Sequence, residues 1–152
     1  MRVLVDTNIL TRSIEPGHAM YQPARDSVAF LRTRGDQLHV VPQILYEFWV
    51  VCTRPASANG LGKTPAETVI ELAALKSLFG IIDDVPAILP EWERIVATFQ
   101  VIGRNAHDAR LVAAMRVHGA SHILTFNDQD FRRFGGITIL TPAALLAPPT
   151  TP

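Results

Sequence analysis

The chain of 152 residues has one cysteine, Cys52, so no disulfide forms within it. Cys52 lies in an apolar helical stretch and reads as a small core residue. No run approaches about 20 consecutive apolar residues, which excludes a helical membrane span although nearly half the residues are hydrophobic. The start has no secretory pattern but opens directly on a strand, so the expected location is the cytoplasm. Net charge is zero, and the molecule as a whole offers no field that would gather nucleic acid. Lysine is nearly missing too: Lys63 and Lys76 are the only two among fourteen basic residues. Arginine suits bidentate phosphate contacts, yet a GC-rich genome produces the same bias. Repeats and low-complexity segments are absent apart from the Pro-rich end. The domain expectation is therefore one unit over 1–147 and a frayed tail over 148–152.

What is present is an alternation of short apolar strands with helices. Val3-Leu4-Val5 is an uninterrupted apolar run, as in a strand buried on both faces. Helices are expected over Thr7–Ile14, Met20–Arg34, Pro42–Thr53, Thr64–Phe79, Pro90–Ile102 and Asn105–His118, with a short one over Asp128–Phe134. Further strands fall at Leu38–Val41, Ile81–Ile82, His122–Thr125 and Ile137–Leu140. Arg54–Thr64, rich in Pro, Ser, Asn and Gly, is the most loop-like internal stretch and a candidate gate or contact region. This order of elements indicates an α/β sandwich on a mainly parallel sheet.

Four acidic positions stand out, and each has a structural explanation beside a chemical one. Asp6 directly follows the first strand, where ligands collect in open α/β sheets, and also suits the N-cap of the next helix. Asp108, three residues after Asn105, resembles the acid of a capping box. Asp128 can cap the short helix before Phe131, and Asp130 would favour the dipole of that helix. Glu47 stands inside an apolar helix, where an unmatched carboxylate is costly unless a cation or solvent meets it. If the first and fourth strands are neighbours, the acids after them meet at one sheet edge and Glu47 and Asp108 lean in from helices. Carboxylates crowded in this way make sense around a hard divalent ion, Mg²⁺ or Mn²⁺, which takes oxygen ligands. Such a site can activate water and neutralise the charge that develops on a phosphodiester in an in-line displacement.

Val3-Leu4-Val5-Asp6-Thr7-Asn8-Ile9-Leu10, Glu47, His107-Asp108-Ala109-Arg110-Leu111-Val112-Ala113 and Thr125-Phe126-Asn127-Asp128-Gln129-Asp130-Phe131 together resemble PIN-domain ribonucleases, in particular the VapC-like toxins of type II toxin–antitoxin pairs. The resemblance spans nearly the whole chain. It implies a three-layer α/β/α sandwich with five parallel strands and a Mg²⁺- or Mn²⁺-dependent cleavage of RNA. Carried over, Asp6 and Asp108 would be the principal metal ligands, with Glu47 a ligand directly or through water. Asn8 and Thr125 would orient carboxylates or water. The family's fourth acid falls at Asn127 here, with Asp128 one step later, so either Asp128 substitutes or the site works with three acids. Arg104 and Arg110, beside Asp108, are candidate phosphate contacts, or else surface charges or partners for an acid. His107, Trp49, Phe48 and Trp92 read as packing or surface residues. The resemblance further implies a VapB-like antitoxin partner and a homodimer.

Other chemistries fit less well. A haloacid-dehalogenase-type phosphotransferase would have a second Asp where Asn8 stands. A receiver domain would have a Lys after a late strand, whereas both lysines precede the fourth strand. A non-enzymatic module that binds RNA or a partner would lack a central acid, and Asp6, Glu47 and Asp108 are all present.

Overall fold

The computed structural model describes residues 1–148; the tail expectation therefore falls, from Pro149 on, outside the described residues. Five strands, β1 (Arg2–Val5), β2 (Gln37–Val40), β3 (Gly80–Ile81), β4 (His122–Leu124) and β5 (Thr138–Leu140), form one sheet in the order β3-β2-β1-β4-β5. All neighbours are parallel. Val3, Leu4 and Val5 are buried, as the apolar run requires of a central strand covered on both faces.

Eight α-helices accompany the sheet among the described residues: α1 (Thr7–Arg12), α2 (Tyr21–Thr33), α3 (Pro42–Thr53), α4 (Pro65–Leu78), α5 (Ile88–Thr98), α6 (Asn105–His118), α7 (Asp128–Phe131) and α8 (Pro142–Leu145). α1 packs on α2 and α3, α3 on α4, and α2 on α8; α5 packs on α6 and α6 on α7. The result is the three-layer α/β/α sandwich. Its core joins strand residues with Ile9, Leu31, Ile44, Phe48, Ile95 and the Leu111–Met115 face of α6. None of the helices is long and apolar enough to cross a membrane.

Local chemistry sets most element ends. Thr64 and Glu67 form a complete capping box at the start of α4, with Pro65 at its first position. Gly119, with φ 69°, closes α6 in the left-handed conformation that glycine adopts without penalty. Two expectations shift. α5 begins at Ile88 and takes Pro90 into its first turn, then ends before Gln100, whose φ is 48°. α8, absent from the sequence reading, starts at Pro142 with Thr141 accepting from the Ala144 amide at 3.2 Å.

β1 is central, and the chain leaves it toward β2 and β3 on one side and returns to β4 and β5 on the other. The connections therefore diverge between β1 and β4, and the crevice beyond the carboxyl ends of these two strands is where such sheets take ligands. Asp6 and Thr125 are the residues immediately after those strands. The amide of Asp6 donates to Leu124 O at 3.0 Å, which locks the two strand ends together.

Candidate active site

Asp6 is both cap and site residue. Its Oδ1 accepts from the Thr7 amide at 2.7 Å, while Oδ2 accepts from Thr125 Oγ1 at 2.7 Å and Asn8 Nδ2 at 3.0 Å. Asn8 also donates to Thr125 Oγ1 at 3.1 Å and accepts from the Phe126 amide at 3.1 Å, tying α1 to the turn after β4. Asn127 contributes its amide to Thr125 Oγ1 at 3.0 Å and lines the same cleft. The expected orienting role of Asn8 and Thr125 thus has a geometric basis: they fix the carboxylate that follows β1.

Glu47 projects from α3 and is half-buried. It accepts from Thr7 Oγ1 at 2.9 Å and from Gln43 Nε2, one helical turn earlier, at 2.9 Å. Gln43 Nε2 also donates to His107 O at 3.0 Å, so a single amide connects Glu47 to the first turn of α6, where Asp108 lies. Thr7 and Gln43 were not singled out in the sequence. The i, i+4 pair Gln43/Glu47 is the one local signal that was legible.

Asp108 is not the acid of a capping box. The N-cap of α6 is Arg104 and carries no side-chain cap bond. The Asp108 carboxylate has no hydrogen-bond donor on it among the described residues and faces the cleft with Asp6 and Glu47.

Two expected residues stand elsewhere. Asp128 neither caps α7 nor joins the cleft: it pairs with Arg132, one turn later on the same side of the chain, and borders a separate hollow beside Met20 and Phe126. Two positions further along α7, Asp130 lines the acidic cleft instead. The two-residue offset rotates the side chain by about 200° around the helix, enough to exchange one face for the other. Arg110 is likewise engaged, with Asp84 at 2.9 Å and Gln43 Oε1 at 3.2 Å, and borders a hollow by Trp92 rather than the cleft. Arg104 does line the cleft.

The cleft is open, about 1000 Å³, and brings together Asp6, Glu47, Asp108 and Asp130. None of the four has a Lys or Arg within ion-pair distance among the described residues. Their charges consequently press on one another. Burial, reinforced by Glu47 and Asp130, pushes Asp6 up to about 6 despite its bonds from Thr125 and Thr7. Burial, then the charges of Asp130, Asp6 and Glu47, pushes Asp108 up to about 7, with Arg104 opposing weakly.

An all-carboxylate donor set without internal cations suits a hard divalent ion. Among the described residues, however, no three His, Cys, Asp or Glu groups are already drawn in far enough to hold one. Mg²⁺ needs only one or two carboxylates directly and keeps several waters, so a loose ring of acids around an open cleft fits such an ion better than a closed cage.

The Arg54–Thr64 stretch is tied down rather than free. Gly62 N donates to Arg54 O, Leu61 N to Val51 O and Lys63 N to Cys52 O, at 2.9, 2.9 and 2.8 Å. Pro55 precedes a turn of 3-10 helix over Ala56–Ala58. The stretch forms a fixed wall of the cleft.

A family model described as PIN domain matches residues 3–137. No curated protein matches the chain by sequence. Among solved structures, VapBC2 from Rickettsia felis bound to a DNA fragment from its promoter is similar with a TM-score of 0.72 at 15% identity, over 93% of this chain and 98% of that one. VapBC-1 from nontypeable Haemophilus influenzae gives 0.69 at 14%, over 94% and 99%. Mycobacterium tuberculosis VapC20, described as a sarcin–ricin loop cleaving toxin, gives 0.58 at 18%, over 80% and 86%. At these identities the likeness shows a shared fold.

Proposed function

The chain belongs to the PIN-domain family, and from that premise we propose that it is a Mg²⁺- or Mn²⁺-dependent endoribonuclease, the toxin of a VapBC-type pair. The observation that carries this reading is the meeting of Asp6, Glu47, Asp108 and Asp130, from four parts of the chain, in one open cleft with no Lys or Arg within ion-pair distance of any of them among the described residues. Structural ion clusters are normally neutralised internally. Here burial and mutual repulsion raise two of the acids instead, the pattern of a site waiting for positive charge.

Asp6 and Asp108 would hold the ion, with Glu47 joining directly or through water and Asp130 taking the place expected of Asp128. The ion, when bound, supplies Lewis-acid neutralisation of the phosphodiester and lowers the pKa of the attacking water. The chain's own contribution is orientation. Thr125 and Asn8 fix Oδ2 of Asp6, leaving the carboxylate no freedom to rotate out. Thr7 and Gln43 hold Glu47 toward α6. Arg104, at the cleft edge, is placed to meet a phosphate of the substrate.

The antitoxin is the partner supported by the fold relatives, two of which are VapBC proteins and one of these bound to promoter DNA. A homodimer and a cytoplasmic location complete the reading. The test is cleavage of a panel of structured RNAs with Mg²⁺ or Mn²⁺, comparing the wild type with Asp6→Asn and Asp108→Asn. Metal-dependent cutting lost in both variants, with the fold retained, is the expected result. RNA binding without cutting would favour a binding module, and cutting that survives in excess chelator would rule out this site.

A further inference from the structure

The acids account for one side of the cleft, and a cation that no other element neutralises stands on the other. Arg54 lines the cleft at the C-terminal end of α3. Most other arginines with a defined partner are matched by a carboxylate: Arg12 by Glu15, Arg34 by Asp36, Arg94 and Arg116 by Glu91, Arg110 by Asp84 and Arg132 by Asp128. Arg54 has none among the described residues. Its Nη2 reaches only Asn59 O, at a long 3.3 Å, and its buried Nε has no hydrogen-bond partner. A cation in a cleft with no carboxylate and one long hydrogen bond is poorly matched, and the group that matches a guanidinium best is an oxyanion.

The placement is built, not incidental. Arg54 O accepts from Gly62 N at 2.9 Å. A Cβ on Gly60 would lie 1.9 Å from that same oxygen, so the return of the chain presses directly on the Arg54 backbone. Along α3, Glu47, Val50, Val51 and Arg54 line the cleft in succession. Seven residues of helix separate the acid from the cation by about 10 Å along the axis. A polyanion with one phosphate at the carboxylates would carry a neighbouring phosphate past Arg54.

We infer that Arg54 is a substrate-binding residue that grips a phosphate of single-stranded RNA flanking the cleavage point, through the part of its guanidinium that faces the cleft. The inference rests on the nuclease reading above and deepens it, by fixing the path of the RNA along α3. The expected effect is electrostatic. Removing one phosphate contact from a single strand lowers the slope of log affinity against log salt by about 0.7.

The experiment measures binding of a labelled stem–loop RNA with Ca²⁺ replacing Mg²⁺, across a salt series, for wild type, Arg54→Gln and Arg54→Lys. Arg54→Gln is expected to bind about tenfold more weakly with the reduced slope. Arg54→Lys, which keeps the charge and the stem, is expected to restore the slope and only part of the affinity. A purely structural arginine would change melting temperature without changing the slope. An unchanged slope in Arg54→Gln overturns the inference. If Arg54→Gln fails to fold, Arg54→Lys decides: wild-type affinity in that variant overturns the need for a guanidinium fork. Wild-type protein that binds this RNA with the expected slopes but never cuts any RNA would overturn the nuclease reading and leave the Arg54 contact standing.

Discussion

Among the described residues, Asp108 and Asp130 enter the cleft with no donor on their carboxylates, whereas Asp6 and Glu47 are each held by hydrogen bonds. Removing the Asp108 charge therefore costs no bond and relieves repulsion. Metal-free Asp108→Asn is expected to melt about 2–4 °C above wild type at neutral pH, for about 1 kcal/mol after allowance for solvent screening. Loss of cutting together with a raised melting temperature would separate a functional acid from a structural one; a lowered temperature would contradict the repulsion argument. Asp128 and Asp130 give the sharper contrast. Asp130→Asn is expected to reduce cleavage about tenfold or more. Asp128→Asn, which breaks only a surface pair with Arg132, is expected to leave cleavage within about twofold. The opposite ranking would restore Asp128 to the site.

The same charges set the pH dependence of the metal-free fold. Asp6 at about 6 and Asp108 at about 7 retain protons in the native state that the unfolded chain has already released. Between about pH 4 and pH 7 the native state thus binds more protons, so stability falls as pH rises and levels off above the higher value. At the acid end Glu91 acts with the opposite sign. Hydrogen bonding to Arg94 holds it below the usual carboxylate range, and its contribution is lost on protonation. A stability maximum in mildly acidic solution follows. The melting temperature is expected to fall by about 5–10 °C from about pH 5 to about pH 8. A flat profile over that interval, read from thermal melts in chelator, would show that neither burial nor the neighbouring charges raise the two acids.

At the scale of elements, the Arg54–Thr64 wall is the segment whose sequence and structure diverge most in character. Its Pro, Asn and Gly content reads as a loop, and a loop it is, but hydrogen bonds to Val51, Cys52 and Arg54 anchor its returning end to the end of α3. Gly60→Ala places a methyl against main chain that cannot yield, and the expected cost is about 1–3 kcal/mol, read as a lowered denaturation midpoint. A midpoint unchanged by Gly60→Ala would mean that the wall rearranges freely. The longer elements were legible because period and caps agree: Thr64-Pro65-Ala66-Glu67 announces α4, and the Val3–Val5 run announces the central strand. α8 was not, since a helix of four residues has too little period to register. Asp6 and Glu47 stand out in the sequence because one follows and the other interrupts an apolar pattern, and Asp108 because it falls three residues after Asn105 at a helix start. Asp130 and Asp128 could not be ranked from sequence, as both belong to the first turn of α7 and only the rotation of that turn against the sheet decides which one faces the cleft. Thr7 was hidden for a related reason, whereas Gln43 had a local signal in its i, i+4 spacing to Glu47. Their value lies in bonds to Glu47, 40 and 4 residues away in the chain, and only the former required the fold.

For the whole molecule, zero net charge conceals a strong local imbalance, and a divalent ion at the proposed site would couple to folding through it. Ionised Asp6 and Asp108 oppose the native state near neutral pH, and a divalent ion held between them, as proposed, would remove that opposition while adding its own binding energy. At about a hundredfold excess over the dissociation constant, the ion adds about 2.7 kcal/mol, or about 5–10 °C in melting temperature. Protons compete for the same oxygens. The stabilisation by Mn²⁺ is therefore expected near pH 8 and is expected to shrink several-fold near pH 5, where both acids hold protons. The double variant Asp6→Asn/Asp108→Asn should respond to Mn²⁺ at neither pH. A response equal to wild type in that variant would place the ion elsewhere on the surface, and a response independent of pH would show that the bound oxygens are not those of Asp6 and Asp108.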